Sequence, residues 1–229
     1  RFKDCKEEIS KKNNIAMSIN SFPEKSNCLL CLSPLKGKNF KHRNIEYIKC
    51  NNCGHIQTKS EIPFDYPKNF MGQGFEEIYP DLNKKEYNSR VNRIYKPKLN
   101  WIIDSLESYF NNFFDPNENY WLEFGCGAGY FLKALVNQKI RKIKGLDVNH
   151  DLINVANKNC NGVYAEIVSD ICSSLRKDNS NIIVSFFVLE HIENAFEVWD
   201  IIKNKKKGTL FIFSVPTFSF TTLLEGAFK

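Results

Sequence analysis

The chain of 229 residues contains no apolar run near the 18 residues that a membrane-spanning helix needs, although 42% of its residues are hydrophobic. It also shows no secretory signal, and a reducing compartment disfavours disulfide bonds between its eight cysteines. Both absences predict a globular cytoplasmic protein without a membrane span. The length allows one full domain and a small additional module.

Acidic residues are scarce in the first part of the chain. Residues 1–60 contain twelve Lys or Arg against five Asp or Glu, whereas the remainder is nearly balanced. This surplus is typical either of a protein with an anionic partner, such as RNA or a nucleotide diphosphate, or of a solvated lysine-rich surface. The lysines are scattered and form no stripe, which favours the solvated surface.

Three glycines at alternate positions follow a short apolar run in the middle of the chain. Residues 121–129 read Trp-Leu-Glu-Phe-Gly-Cys-Gly-Ala-Gly, and a helical pattern of apolar residues follows at once. A strand, a glycine turn and a helix in this order let a cofactor approach the backbone of a doubly wound α/β sheet. The G-x-G-x-G spacing is not that of dinucleotide enzymes, and no Lys-Ser/Thr pair follows to form a P-loop.

Further strand-like runs extend this pattern along the chain. The run 143–148 contains Asp147 near its end, eighteen residues after Gly129. An acid at the end of the second strand, about 20 residues after the glycine turn, is in position to accept hydrogen bonds from ribose hydroxyls. The runs 162–168, 182–187 and 208–215 follow, with helical patterns between them. Strands that alternate with helices in this way predict a parallel α/β sheet.

These features together resemble the class I S-adenosylmethionine-dependent methyltransferases. The resemblance depends on the Glu-Phe-Gly-Cys-Gly-Ala-Gly segment, on Asp147 and Asp170, and on Val-Leu-Glu-His-Ile at residues 188–192; it covers roughly residues 90–216. It implies S-adenosyl-L-methionine as the cofactor and an α/β, Rossmann-like parallel sheet of order 3-2-1-4-5. The C-terminal strands of that class have no counterpart in the sequence, so we expect either a fragment or a naturally short protein.

The resemblance also implies roles for individual residues. Glu123 is expected near the ammonium and sulfonium groups of the cofactor, Asp147 at the ribose hydroxyls and Asp170 at the adenine amino group. Phe187 is expected close to the transferred methyl group. The alternatives are a glycine turn without a ligand and acids that only cap helices. The implied cofactor-binding residues are Glu123, Gly125, Cys126, Gly127, Gly129, Asp147, Val148, Asp170, Ile171 and Phe187.

A hydroxyl or carbon acceptor must lose a proton during methyl transfer, and the sequence offers a candidate base. His191 follows the fourth predicted strand and is the candidate general base, with Glu190 orienting it. The alternative is that His191 only caps the helix that follows. Tyr79 and Tyr87 are weaker candidates for substrate contact, because such rings more often pack in a core.

Four cysteines in two C-x2-C pairs are the second informative feature. Cys28 and Cys31 form the first pair and Cys50 and Cys53 the second, and the eighteen residues between the pairs match the spacing of a four-cysteine zinc site. We expect Zn²⁺ in a structural role, because four sulfur ligands leave no open position for a water. Two disulfides or four free thiols are the alternatives.

The predicted organisation has four parts. Residues 1–24 form a polar tail or short helix, and 25–60 a zinc ribbon. Residues 61–88 form an aromatic connector that packs on the catalytic domain or covers its site. The methyltransferase domain, C-terminally incomplete, occupies 89–229 and opens with a helix that is interrupted near Pro97.

The acceptor is predicted from resemblance alone. The four-cysteine module, the aromatic connector and the segment 188–192 are similar to bacterial methyltransferases acting on nucleotide-linked sugars or surface polysaccharides. A ribosomal RNA guanine methyltransferase group offers an alternative, because residues 28–35 resemble its leader, although Cys53 stands where that group has a histidine. A third hypothesis is that the protein is a non-catalytic cofactor-binding subunit whose zinc ribbon recruits a partner.

Overall fold

A computed structural model describes most of the chain, in two compact units that span residues 10–63 and 84–216. The predicted connector falls largely on residues outside the described part, as do Cys5, Tyr79 and the C-terminal end. Within the described ranges, no helix is long and apolar enough to cross a membrane. The described residues are 10, 13–63, 84–111, 113–161, 163–192 and 195–216.

The N-terminal unit contains a three-stranded antiparallel sheet. Its first two strands are joined by Arg43 and Asn44, which both have positive φ (49° and 63°), as a type I′ hairpin turn requires. Phe40 and Tyr47 are register partners across this hairpin and stack with ring centroids 5.6 Å apart. The strands are β1 (Gly37–His42), β2 (Ile45–Cys50) and β3 (Ile56–Thr58), and residues 13–20 are helical.

The C-terminal unit contains a five-stranded parallel sheet with helices between successive strands. Numbered along the chain, the strands lie in the order 3-2-1-4-5, which confirms the predicted Rossmann-like α/β fold. The strands are β4 (Trp121–Phe124), β5 (Ile143–Asp147), β6 (Tyr164–Ile167), β7 (Ile182–Phe186) and β8 (Leu210–Ser214). The helices are α1 (Lys84–Arg90), α2 (Lys96–Tyr109), α3 (Tyr130–Asn137), α4 (His150–Asn159), α5 (Ile171–Lys177) and α6 (Ala195–Lys203).

Two apolar clusters hold the helices of this unit in place. Phe124 of the fully buried central strand packs in one cluster with Leu175 of α5 and Val198 of α6. The other cluster includes Leu132 of α3 and Ile153 of α4. Because parallel strands end at the same edge of a sheet, the loops after β4, β5 and β7 are brought together there.

The helical segment before the sheet differs from its predicted form. It begins at Lys84 rather than near Ser89, and its irregularity is a π turn over Val91–Tyr95 that ends two residues before Pro97. Proline has no N–H to give to a carbonyl one turn earlier, which disturbs the regular ladder at this point. The backbone N–H of Lys96 donates to the Val91 carbonyl, the longer reach that defines a π turn.

Candidate functional site

The glycine loop, residues 125–129, turns at the carboxyl end of β4 and leads directly into α3. Its three glycines all have positive φ. A Cβ on Gly125 would lie 2.2 Å from Val188 Cγ2, so packing excludes any side chain there. At Gly127 the nearest atom to such a Cβ, Leu152 Cδ1, would be 3.8 Å away. Gly125 is therefore required by the fold itself, whereas the backbone at Gly127 is open to the approach of a ligand.

Asp147, at the end of β5, holds the glycine loop in place. This buried carboxylate accepts the backbone N–H of Gly127 on Oδ2 at 2.7 Å and that of Asn149 on Oδ1 at 2.9 Å. Each carboxylate oxygen can accept a further hydrogen bond, so both remain able to bind a pair of hydroxyls. The neighbouring Val148 is exposed, while the Cys126 side chain packs in the core and leaves only its backbone to the loop.

Glu123 lies on the central strand, two residues before the loop, and is only 4% exposed. Among the described residues its Oε2 has no hydrogen-bond partner. Burial raises the pKa of Glu123 well above its ordinary value, the charge of Asp147 adds to this, and the charge of Lys98 opposes it. A buried acceptor without a partner is unfavourable, and a cationic ligand placed beside it would remove that penalty.

The ammonium of Lys98, in the first turn of α2, lies among three aromatic rings. Its Nζ is 4.5 Å from the ring centroid of Phe186, 4.9 Å from that of Phe187 and 5.4 Å from that of Tyr95. All three distances are within the range of cation–π attraction. We call Tyr95, Phe186 and Phe187 the aromatic cage. Burial lowers the pKa of Lys98, and the charge of Glu123 opposes that shift.

Phe187 has an unusual backbone conformation directly after β7. Its φ of 57° is in the left-handed region, and its side chain is half exposed. The backbone N–H donates to the Ser214 carbonyl at 2.9 Å, which holds the residue at the sheet edge. A non-glycine residue in this region costs about 1–3 kcal/mol, and such residues are concentrated at functional sites.

Tyr87 supports the glycine loop from within the core. Its buried hydroxyl donates to the Ala128 carbonyl at 2.9 Å, and its ring stacks on Tyr130 with centroids 4.7 Å apart. Tyr130 stacks in turn on Tyr95 of the aromatic cage, at 5.4 Å. Tyr87 thus packs beneath the loop, in line with the expectation that such rings more often belong to a core.

Asp170 follows β6 and is the N-cap residue of α5. Its carboxylate accepts the backbone N–H groups of Cys172 at 2.9 Å and Ser173 at 3.2 Å, and the Ser173 hydroxyl at 2.5 Å. The hydrogen bond from the Ser173 side chain is the main cause that lowers the pKa of Asp170. The hydrogen bonds of Asp170 are therefore those of a helix-capping residue, as in the alternative considered above. The next residue, Ile171, is partly buried.

The proposed base and its orienting carboxylate lie in a short 3-10 turn, Leu189–His191, after β7. Both side chains, of Glu190 and His191, are exposed at the edge where the glycine loop ends. The backbone N–H of His191 donates to the Val188 carbonyl at 2.8 Å. In the described part of the chain no hydrogen bond joins these two side chains, so the orienting role of Glu190 stays a prediction.

The four cysteines of the two C-x2-C pairs converge in the N-terminal unit; we call them the cysteine cluster. The Sγ atoms of Cys28 and Cys53 are 3.6 Å apart, those of Cys31 and Cys50 are 3.7 Å apart, and all four lie within 4.8 Å of one another. Zinc–sulfur bonds of about 2.3 Å in a tetrahedron require sulfur atoms roughly 3.8 Å apart. The arrangement fits a tetrahedral ion.

Both halves of the cluster have the same backbone turn. The N–H of Leu32 donates to the Cys28 carbonyl, and that of Gly54 donates to the Cys50 carbonyl, each at 2.9 Å. Hydrogen bonds from the Asn52 side chain and the Ser33 backbone lower the pKa of Cys31 to about 6. The sequence predicted that these four cysteines come together, because two short pairs at a zinc spacing can form such a cluster almost independently of the surrounding fold.

Comparisons with known proteins place this unit in a family. A model described as "Methyltransferase domain" matches residues 98–226, which is more than half of the chain. Because the match covers more than half of the chain, the chain belongs to this methyltransferase family. A comparison with curated proteins found no match.

Several solved structures are similar over part of the chain. Magnesium protoporphyrin IX methyltransferase from Synechocystis, with bound S-adenosylhomocysteine, is 16% identical at a TM-score of 0.46, covering 70% of this chain and 74% of that one. A methyltransferase from Clostridium acetobutylicum is 15% identical at 0.42, with coverages of 66% and 58%. The N-methyltransferase NodS from Bradyrhizobium japonicum is 20% identical at 0.36, with coverages of 42% and 51%. Similarities of this extent carry no argument about the acceptor.

Proposed function

We propose that the glycine loop, Glu123 and Asp147 bind S-adenosyl-L-methionine. The observation that carries this proposal is the buried Glu123 carboxylate beside an open glycine backbone. A carboxylate without a partner for one oxygen fits a ligand whose methionine end carries an ammonium and a sulfonium group. When bound, the cofactor supplies an electrophilic methyl group. The chain's own contribution is to hold that group in line with an acceptor and away from water.

We assign to individual residues the roles that the resemblance implies. Asp147 accepts the two ribose hydroxyls on its remaining lone pairs, while its existing hydrogen bonds keep the loop in shape. Val148 and Ile171 provide apolar contacts to the adenine. Asp170 is the weaker candidate of the two acids, because its carboxylate already accepts three hydrogen bonds at the start of α5, whereas that of Asp147 accepts two.

We further propose His191 as the general base that removes the proton of the acceptor. It lies at the sheet edge shared with the glycine loop, and its exposed ring is accessible to an acceptor. His191→Ala should lower kcat by about a hundredfold or more while cofactor affinity stays within twofold. His191→Gln is the matched variant, because glutamine keeps a polar side chain of similar size but cannot accept a proton as imidazole does. An unchanged kcat in both variants would show that His191 only ends the turn after β7.

For the acceptor we propose a nucleotide-linked sugar or a surface polysaccharide unit. The support is the sequence resemblance of the four-cysteine module and the segment 188–192. The test is transfer of a labelled methyl group from the cofactor to a panel of sugar nucleotides, with total RNA as a second panel. Methylated sugar nucleotide supports the proposal.

Labelled RNA would contradict the sugar proposal and favour the alternative of an RNA base methyltransferase. That alternative has one specific observation behind it, the surplus of positive charge in residues 1–60. Retention of the protein on RNA should then weaken steeply as salt increases. Cofactor binding without transfer to either panel would favour the third hypothesis, a non-catalytic subunit.

We also propose that the cysteine cluster binds one structural Zn²⁺ ion. The sulfur–sulfur distances support this, and four sulfur ligands leave no position for a reacting water. Measurement of the metal content of the purified protein tests it. One zinc per chain that is lost in Cys28→Ser supports the proposal, and a zinc-free, folded N-terminal unit contradicts it.

A further inference from the structure

The surroundings of the Lys98 ammonium attract cations in general. Three rings surround the Lys98 ammonium at cation–π distances, and the charge of Glu123 also favours the charged form of this lysine. Lys98 itself comes from the helix, whereas Phe186 and Phe187 come from the end of β7, so the ammonium and these two rings belong to different elements.

The proposed function assigns the same carboxylate, Glu123, to the positive end of the cofactor. Glu123 interacts electrostatically with Lys98, as the opposing effect of each on the pKa of the other shows. Two positive groups beside one carboxylate repel each other, and at a separation of several ångströms in a half-buried site this repulsion is substantial. The product, S-adenosylhomocysteine, keeps the ammonium but has a neutral thioether in place of the sulfonium, so it escapes the part of the repulsion that acts on the sulfur.

We infer that Lys98 competes with the positive end of the cofactor for Glu123 and the aromatic cage, and so sets the relative affinity for the charged donor and its neutral product. This inference rests on the proposed function. Lys98 is thus a residue that determines ligand preference at the donor site. Lys98 repels the positively charged sulfur of the bound donor. This repulsion decreases as the sulfur becomes neutral during methyl transfer, so Lys98 stabilises the transition state relative to the bound donor.

The π turn gives this residue its place in the site. Tyr95 ends the turn and Lys98 follows three residues later, so the two side chains share one face of the helix. Lys96, between them in sequence, is exposed and contributes nothing to the cage. This difference provides a matched control for the experiment.

The experiment measures the dissociation constants of S-adenosylmethionine and S-adenosylhomocysteine by calorimetry for the whole chain, its Lys98→Met variant and its Lys96→Met variant. We expect the ratio of the donor constant to the product constant to fall about tenfold in Lys98→Met, equivalent to about 1.4 kcal/mol. In Lys96→Met the ratio should stay at the wild-type value. Lys98→Gln replaces Lys98→Met if the latter does not fold.

The outcomes separate the two proposals. A wild-type protein that binds neither ligand refutes the cofactor site itself. Binding of both ligands, with a ratio that is the same in wild type and in the neutral Lys98 variants, overturns the role of Lys98 and leaves the cofactor site intact. A fall of equal size in Lys96→Met would show a general effect of surface charge and would also overturn the inference.

Discussion

The two units of this protein differ in how their candidate sites are related to their folds. In the N-terminal unit, a small three-stranded sheet surrounds four cysteines, and few side chains are fully buried. In the C-terminal unit, two apolar clusters pack against a five-stranded sheet, and the candidate site lies in loops at one edge. We expect the first unit to depend on a bound metal for its stability, whereas the second unit provides a frame on which the binding residues are placed.

The difference teaches where each kind of substitution should act. A change at the cysteine cluster should remove structure together with the metal, because binding energy and folding energy are the same quantity in such modules. A substitution in the glycine loop should have separable effects on stability and on cofactor affinity, because the rest of the C-terminal unit stays folded. The predictions below test this division, beginning with the largest effect.

Cys50→Ser should abolish zinc binding and unfold the N-terminal unit. In small zinc modules the metal contributes about 10–16 kcal/mol of apparent binding free energy, which exceeds the stability of most domains of this size. Metal analysis and limited proteolysis measure the two losses, with Cys5→Ser as the control because Cys5 has no partner at metal spacing. Cofactor affinity should remain nearly unchanged; a large loss would mean that the two units do not act independently.

Two neighbouring glycines should respond differently to the same substitution. Gly125→Ala should destabilise the C-terminal unit by about 3 kcal/mol, because its Cβ would overlap with Val188. Gly127→Ala should cost only about 1 kcal/mol, from its positive φ, yet weaken cofactor binding. Thermal unfolding and calorimetry measure the two properties. Equal losses of stability would contradict the distinction drawn between them.

Glu123→Gln should stabilise the C-terminal unit increasingly as the pH rises. Burial raises the pKa of Glu123 in the folded protein above the value of about 4.5 that it has in the unfolded chain. The protonated side chain therefore contributes its full share to the free energy of unfolding below about pH 4.5, and this share is lost as the pH rises through the folded pKa. The variant has no such loss, and the difference should grow by at most about 1.4 kcal/mol per pH unit. Denaturant unfolding between pH 5 and about pH 8 tests this; parallel curves would contradict it.

The sequence predicted those features that depend on short-range patterns. The parallel α/β class follows from the alternation of apolar strands and helices, whereas the strand order was implied by the resemblance to the class I methyltransferases. The cysteine pairs were recognisable because the distance between two ligands of a pair is fixed by one local turn. The glycine loop was recognisable for the same reason, since its residues are contiguous.

Features that depend on packing between distant segments were missed. Lys98 and Tyr95 precede the glycine loop in the chain and carry no motif, yet they meet Phe186 and Phe187 at the sheet edge. The lysine at position 98 resembled the many others of this lysine-rich chain. Only the Pro97 signal marked the segment, and it was interpreted as a break in the helix rather than as the π turn beside a site.

The most direct test of the account is calorimetric titration of the protein with S-adenosylhomocysteine, beside an Asp147→Ala variant. We predict micromolar binding by the wild type and a loss of about a hundredfold in the variant, because two charge-assisted hydrogen bonds to the ribose disappear. A thermal unfolding curve of the variant controls for loss of the loop contact. Absence of binding by the folded wild-type protein, or equal affinity in both proteins, would contradict the proposed donor site.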